Sequence, residues 1–180
     1  MKFSRTVLEF DATDQAILDL LQENCKQPLA LIGEKVGLSA PAVLDRIHKL
    51  EEAGVIRDYV AVLDGRHLGK DVTAFIGVSV TSPRALASFE QVVEHIDEVL
   101  ECHHVTGAWT LMLKVKTVDT ETLEELIERI RSCEGVGRTE TMVVLSTHAE
   151  RSRVALSGNG ELESRTPRRS GGTRGRRPAP

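Results

Sequence analysis

Apolar residues recur at helical spacing over the first third of the chain and alternate in the manner of strands over much of the remainder. Asp11-Ala12-Thr13-Asp14 offers side-chain caps, and Ile17, Leu18 and Leu21 then form an apolar face running to Asn24. Leu29, Ile32 and Val36 repeat at three- and four-residue intervals, Gly37 supplies a turn, and Leu38 can pack beneath it. Ser39 is a favourable N-cap, and Pro41 falls in the first turn, where its missing N–H costs nothing. Val43, Ile47 and Leu50 make the buried stripe of the next helix, which Gly54 stops. Three helices are predicted. The last two, with the Gly-Leu-Ser-Ala turn between them, span residues 29–56 in the layout of a DNA-reading helix-turn-helix, a pattern shared by plain helical hairpins.

Val55 to Leu63 alternates β-branched and aromatic residues and reads as an extended segment, and residues 64–71, with two glycines and no periodicity, read as a hinge. The pattern then predicts a strand over Thr73–Val80 and a helix opened by Pro83 that carries Leu86, Phe89, Val92, Val93 and Ile96. A hairpin comes next, Val99–Val105 and Trp109–Val115 around Thr106-Gly107-Ala108, then a helix over Thr122–Cys133 and a strand over Thr139–Thr147. The order βαββαβ specifies a ferredoxin-like sandwich with two helices on one face of an antiparallel sheet. The fold class is therefore α+β: a helix-turn-helix domain with its following strand (1–63), a hinge (64–71), a ferredoxin-like domain (72–150) and a tail (151–180). Ile76, Val78, Leu111, Leu113, Val143 and Leu145 lie on strands that must have two faces, so self-association through the uncovered face is expected.

Composition narrows the classes. No apolar run approaches the roughly 20 residues that cross a bilayer, and the first residues contain no signal-peptide core, so the expected location is cytoplasmic, with no membrane partner. Cys25, Cys102 and Cys133 are too widely spaced for a zinc pattern or a disulfide framework and are expected as buried small residues. The net charge of −4 divides unevenly: residues 157–180 hold six arginines and two glutamates, giving +4 there and −8 over residues 1–156. That Arg/Gly/Pro-rich tail is expected to be disordered, either adding phosphate contacts or serving only as an extension.

With Val43, Ile47 and Leu50 turned inward, Ser39, Ala40, Pro41, Ala42, Arg46, His48 and Lys49 become the candidate DNA-binding residues. Small residues at the start of the helix permit close approach to a major groove, Arg46 suits a phosphate or a guanine edge, and Lys49 and His48 suit the backbone. Residues 11–58 carry five basic residues against nine acids, so DNA binding would rest on a local patch and a dimer. His103 and His104 are adjacent on a strand and point to opposite faces, which denies them one shared metal ion. No catalytic set, metal site or cofactor motif is read elsewhere.

Three segments, LSAPAVLDRIHKLEEAGVIRDYVAVLD, ECHHVTGAWTLMLKV and EGVGRTETMVVLSTHAE, resemble in order and spacing the leucine-responsive/asparagine regulator (Lrp/AsnC) family of transcription factors. The resemblance covers roughly residues 8–150 and implies a sequence-specific regulator that pairs its DNA-binding units as a homodimer, assembles further to tetramers or octamers, and holds a small effector, an amino acid or another small metabolite, between regulatory domains. It implies that Ser39 to Ala53 is the recognition helix and that Thr106, Gly107, Ala108, Trp109 and Thr110 form the effector loop. The family's Gly-x-x-Asp pattern reads Gly107-Ala108-Trp109-Thr110 here, with a neutral hydroxyl where a carboxylate would pair with an ammonium group. Weak binding of common amino acids is the expectation. Trp109 suits either stacking on a ligand or filling a subunit interface. The alternatives to a regulator are a haem-pathway decarboxylase-like enzyme and a stand-alone ligand sensor of the same fold; the effector loop lacks the arginines that an acidic tetrapyrrole would favour, and the expectation is no enzyme.

Overall fold

The computed structural model describes residues 10–156. These divide into two compact units, residues 10–60 together with 151–156, and residues 61–150. In the first unit α1 spans Ala12–Glu23, α2 Leu29–Val36 and α3 Ala40–Glu52. A reciprocal capping box begins α1: the Asp14 N–H donates to the Asp11 carboxylate at 2.8 Å, and the Asp11 N–H donates to the Asp14 carboxylate at 3.3 Å. Gly37 ends α2 with φ +73°, a conformation that a side chain resists, and the Ser39 hydroxyl accepts from the Ala42 N–H at 3.4 Å to start α3. The predicted stripes meet, with Ile17, Ile32, Val43 and Ile47 in the core and Leu21, Leu29, Val36 and Leu38 packed around them.

Residues 151–156, read from the sequence as the start of a tail, lie along α1. The Gln22 side-chain amide donates to the Val154 carbonyl at 3.2 Å and accepts from the Val154 N–H at 2.8 Å, while the Arg153 guanidinium lies 2.9 Å from the Asp19 carboxylate. Residues 157–180, which hold six arginines of the expected tail, lie outside the described residues.

Two expectations change between residues 55 and 71. The stretch read as a strand from Val55 has no strand partner among the described residues, so its backbone groups close no ladder, and Val62 is 85% exposed. Part of the expected hinge has structure of its own: Asp64 caps a short 3-10 turn, Gly65–Leu68, and Gly65 is buried beneath the Lys116 side chain.

The second unit is the expected sandwich. Its elements are β1 Val72–Val80, α4 Pro83–Val93, β2 Val99–His104, β3 Leu111–Thr117, α5 Thr120–Arg131 and β4 Val136–Val143, and the sheet order is β2-β3-β1-β4. All neighbouring strands are antiparallel. Ala74, Ile76, Val78, Leu111, Leu113 and Val115 pack against Phe89 and Val93 of α4 and Leu123, Leu126 and Ile130 of α5. Asp119 caps α5, which starts two residues before the predicted Thr122. β4 ends at Val143 instead of Thr147 because its partner β1 begins at Val72, and Leu145 beyond it is 96% exposed. The cysteines also depart from expectation: Cys25 and Cys102 are exposed and Cys133 is only half-buried.

Candidate nucleic-acid interface and effector loop

Burial of Val43, Ile47 and Leu50 fixes the rotation of α3. Pro41, Asp45 and Lys49 then form one exposed row at four-residue spacing, and Leu44 and His48 form a second beside it. Ser39 is exposed at the helix start with its hydroxyl engaged in the cap, and Ala40 and Ala42 are half-buried. Asp45 did not figure among the sequence candidates. Its position, four residues from both Pro41 and Lys49, was the signal that places it on this face.

Arg46 lies on the flank of α3. Its Nη1 is 2.7 Å from the carboxylates of both Asp11 and Asp14, and its side chain is 32% exposed. The Asp14 backbone N–H and then the Arg46 guanidinium hold the Asp11 carboxyl below its ordinary pKa, and the two carboxylates raise that of Arg46. Lys49, by contrast, makes no ion pair among the described residues.

In the second unit the loop Thr106–Thr110 joins β2 to β3, with Gly107 at φ +123°. Thr110 is tied to the sheet: its N–H donates to the Val78 carbonyl at 3.0 Å, and its hydroxyl accepts from the Val80 N–H at 3.1 Å, where the pairing of β1 with β4 shifts register. Trp109 is half-buried with its indole directly over Gly77, and the Arg138 guanidinium stacks 4.8 Å from the ring centroid. Thr106, Gly107 and Ala108 are exposed.

Strand alternation alone leaves open which residues line the uncovered face of the sheet. Ile76, Val78, Leu111 and Leu113 all turn toward the helices. Cross-strand register puts Phe75 beside Lys114 and Met142, Gly77 beside Met112 and Glu140, and His103 beside Met112, all on the opposite face. Phe75 is 37% and Met142 42% exposed. The Lys114 ammonium is bonded to Glu150 and lies 3.2 Å from Glu101, which also takes His103 at 3.1 Å. His103 and then Lys114 lower the Glu101 pKa, and Glu150 leads in raising that of Lys114. The two histidines diverge as expected, with His104 opposite Leu111 on the helix side.

Comparison with known proteins accounts for both units. The AsnC-type helix-turn-helix domain matches residues 10–51, and the Lrp/AsnC ligand-binding domain matches residues 73–154. The HTH-type transcriptional regulator FL11 of Pyrococcus abyssi is 32% identical over 149 residues, which is 83% of this chain and 98% of that one. The HTH-type transcriptional regulator Rv2324 of Mycobacterium tuberculosis is 38% identical over 141 residues, 78% of this chain and 95% of its own length. Among solved structures, the transcriptional regulator NMB0573 of Neisseria meningitidis, in complex with L-Met, superposes with a TM-score of 0.78 at 30% identity, covering 82% of this chain and 97% of that one. All three are named as transcriptional regulators, in line with the regulator reading rather than the decarboxylase-like alternative. With both domains matched in order, the chain belongs to the Lrp/AsnC family of helix-turn-helix transcriptional regulators.

Proposed function

We propose that this regulator binds duplex DNA in the cytoplasm as a homodimer, with α3 entering the major groove and Pro41, Leu44, Asp45, His48 and Lys49 facing the bases and phosphates. The observation that carries this is the exposed double row on a capped helix whose opposite side is fixed in a core. Ser39, Ala40 and Ala42 permit close approach at the helix start. A single helix of this kind reads only a few base pairs, so two copies on a pseudo-palindromic site are needed for selectivity. The exposed apolar residues of the extended segment near Val62 and the open sheet face with Phe75 and Met142 supply surfaces for a second copy. Further assembly to a tetramer or octamer is part of the same proposal.

The effector loop of the proposal is Thr106 to Thr110. The Neisseria relative carries L-Met; here the Thr110 hydroxyl is engaged by Val80, and no carboxylate stands at that position to meet an ammonium group. The effector is accordingly a small metabolite other than the common amino acids. Selection of duplexes from a random pool, followed by anisotropy titration, tests the DNA role: enrichment of one motif is expected, and failure to enrich any sequence refutes it. Light scattering tests the assembly, which a monomer at working concentration would rule out. Calorimetric titration with the standard amino acids tests the effector class, and tight binding of any of them overturns it.

A further inference from the structure

We infer that Arg46 is a positioning residue for the DNA-reading helix and makes no net electrostatic contribution to holding DNA. The inference rests on the proposed DNA role of α3 and concerns how that helix is held. One guanidinium nitrogen, Nη1, lies 2.7 Å from carboxylate oxygens of both Asp11 and Asp14. Those two carboxylates are the reciprocal caps of the first turn of α1. Arg46 therefore ties the middle of α3 to the start of α1, 35 and 32 residues earlier in sequence.

Charge decides between the two roles. A cation that binds phosphate does so by displacing counterions from DNA, and each such contact steepens the fall of affinity with salt. Arg46 with Asp11 and Asp14 sums to −1, and Asp45, the residue before it in the chain, adds a further exposed carboxylate. A group of that net charge repels phosphate. Lys49 has no acidic partner among the described residues and is the residue of α3 fitted to the phosphate contact. The three-way contact instead sets the rotation and tilt of α3 against α1, on which the aim of Pro41, Asp45 and Lys49 depends.

The experiment measures affinity of the full-length chain for a duplex it selects, across a range of salt concentrations, for wild type, Arg46→Gln, Lys49→Gln, the double variant Asp11→Asn/Asp14→Asn and the triple variant that adds Arg46→Gln to it. Asparagine remains a good N-cap, so the double variant removes the charges while leaving α1 capped. Expected results are a loss of about tenfold for Arg46→Gln with an unchanged salt slope, a similar loss for the carboxylate variant, and little further loss when all three are combined. Lys49→Gln should lower the slope by about 0.9 per contact. Should Arg46→Gln not fold, the carboxylate variant still decides the matter, because it retains the arginine: weaker binding supports positioning, and unchanged or tighter binding overturns it. A slope reduced by about one unit in Arg46→Gln also overturns it. Absence of selective binding by the wild-type chain refutes the DNA role itself, a result distinct from selective binding that is indifferent to the carboxylates.

Discussion

Substitution of Gly77 by alanine tests the packing of the loop proposed to hold the effector. A Cβ at that position would lie 2.6 Å from Trp109 Cδ2 and 2.8 Å from both Cε2 and Cγ, whereas ordinary contact begins at 3.4 Å. The indole must therefore retreat by about 0.8 Å, the difference between 3.4 and 2.6. Its backbone cannot follow, because the adjacent Thr110 is held by Val78 at 3.0 Å and by Val80 at 3.1 Å. The ring has to rotate, and rotation removes it from the Arg138 guanidinium, 4.8 Å from its centroid. Overpacking of this kind costs about 1–3 kcal/mol, and an exposed cation–π contact adds about 0.5–1 kcal/mol. Together these come to about 1.5–4 kcal/mol, and even the lower end corresponds to a fall in Tm of roughly 6–12 °C for a unit of this size. The chain has one tryptophan, so its fluorescence reports this site alone during urea or thermal unfolding. Gly77→Ala should shift the emission maximum and lower the midpoint. Unchanged emission with an unchanged midpoint would show that the indole is not seated on Gly77 and would refute the reasoning.

The only tyrosine gives a second clean probe: burial and then the 2.8 Å bond to Glu51 push the Tyr59 hydroxyl up to about 12, above its unfolded value. Its contribution to stability is whole below about pH 10 and is lost as pH rises toward the folded value; tyrosinate absorbance should titrate near 12, and Glu51→Gln should bring it down. A wild-type midpoint near 10 would contradict this. Thr110→Val keeps the shape of the side chain but leaves the Val80 N–H without its acceptor, so unfolding free energy should fall by about 1–3 kcal/mol, whereas Thr110→Asp can keep the bond; equal stability of Thr110→Val and wild type in urea would count against it. Asp119 is held below its ordinary pKa by the backbone N–H and the hydroxyl of Thr122, so its stabilising effect is full above about pH 4 and disappears as pH drops through the lowered folded value. Tm measured from pH 5 downward should fall less for Asp119→Asn than for wild type, and parallel curves would exclude the carboxylate as a cause.

What the sequence disclosed was local. Ser39, Pro41 and Gly37 act on backbone within a few residues of themselves, and the stripe Val43, Ile47, Leu50 depends only on helical period, so α3 was found with its inward face correct. The same holds for the strand and helix order of the second unit. Alternation along a strand separates two faces but cannot say which one the helices will cover, so the assignment of Ile76 and Leu113 to the helix side and of Phe75 and Met142 to the open side had to come from the packing. Arg46 was legible as an outward arginine, but its partners sit on another helix, and pairing across helices has no signature in a single sequence. Thr110 is a similar case. Its hydroxyl answers a backbone N–H exposed by a register shift 30 residues away, a need visible only once the strands are paired.

The pairing of Gln22 with Val154 changes how the chain should be cut. Because residues 151–156 return to the helical unit, residues 61–150 are an insertion within that unit, bounded by it on both sides in sequence. A fragment ending at residue 60 would carry all three helices and still be incomplete, with the Gln22 amide stripped of its backbone mate and Asp19 and Glu23 left as an uncompensated acidic edge once Arg153 is gone. The matching excision, residues 61–150, keeps every strand and helix of the sandwich along with the Lys114–Glu150 pair. A cut at residue 60 therefore parts Gln22 and Asp19 from Val154 and Arg153, whereas residues 61–150 hold the contacts of the sandwich within one continuous stretch of chain.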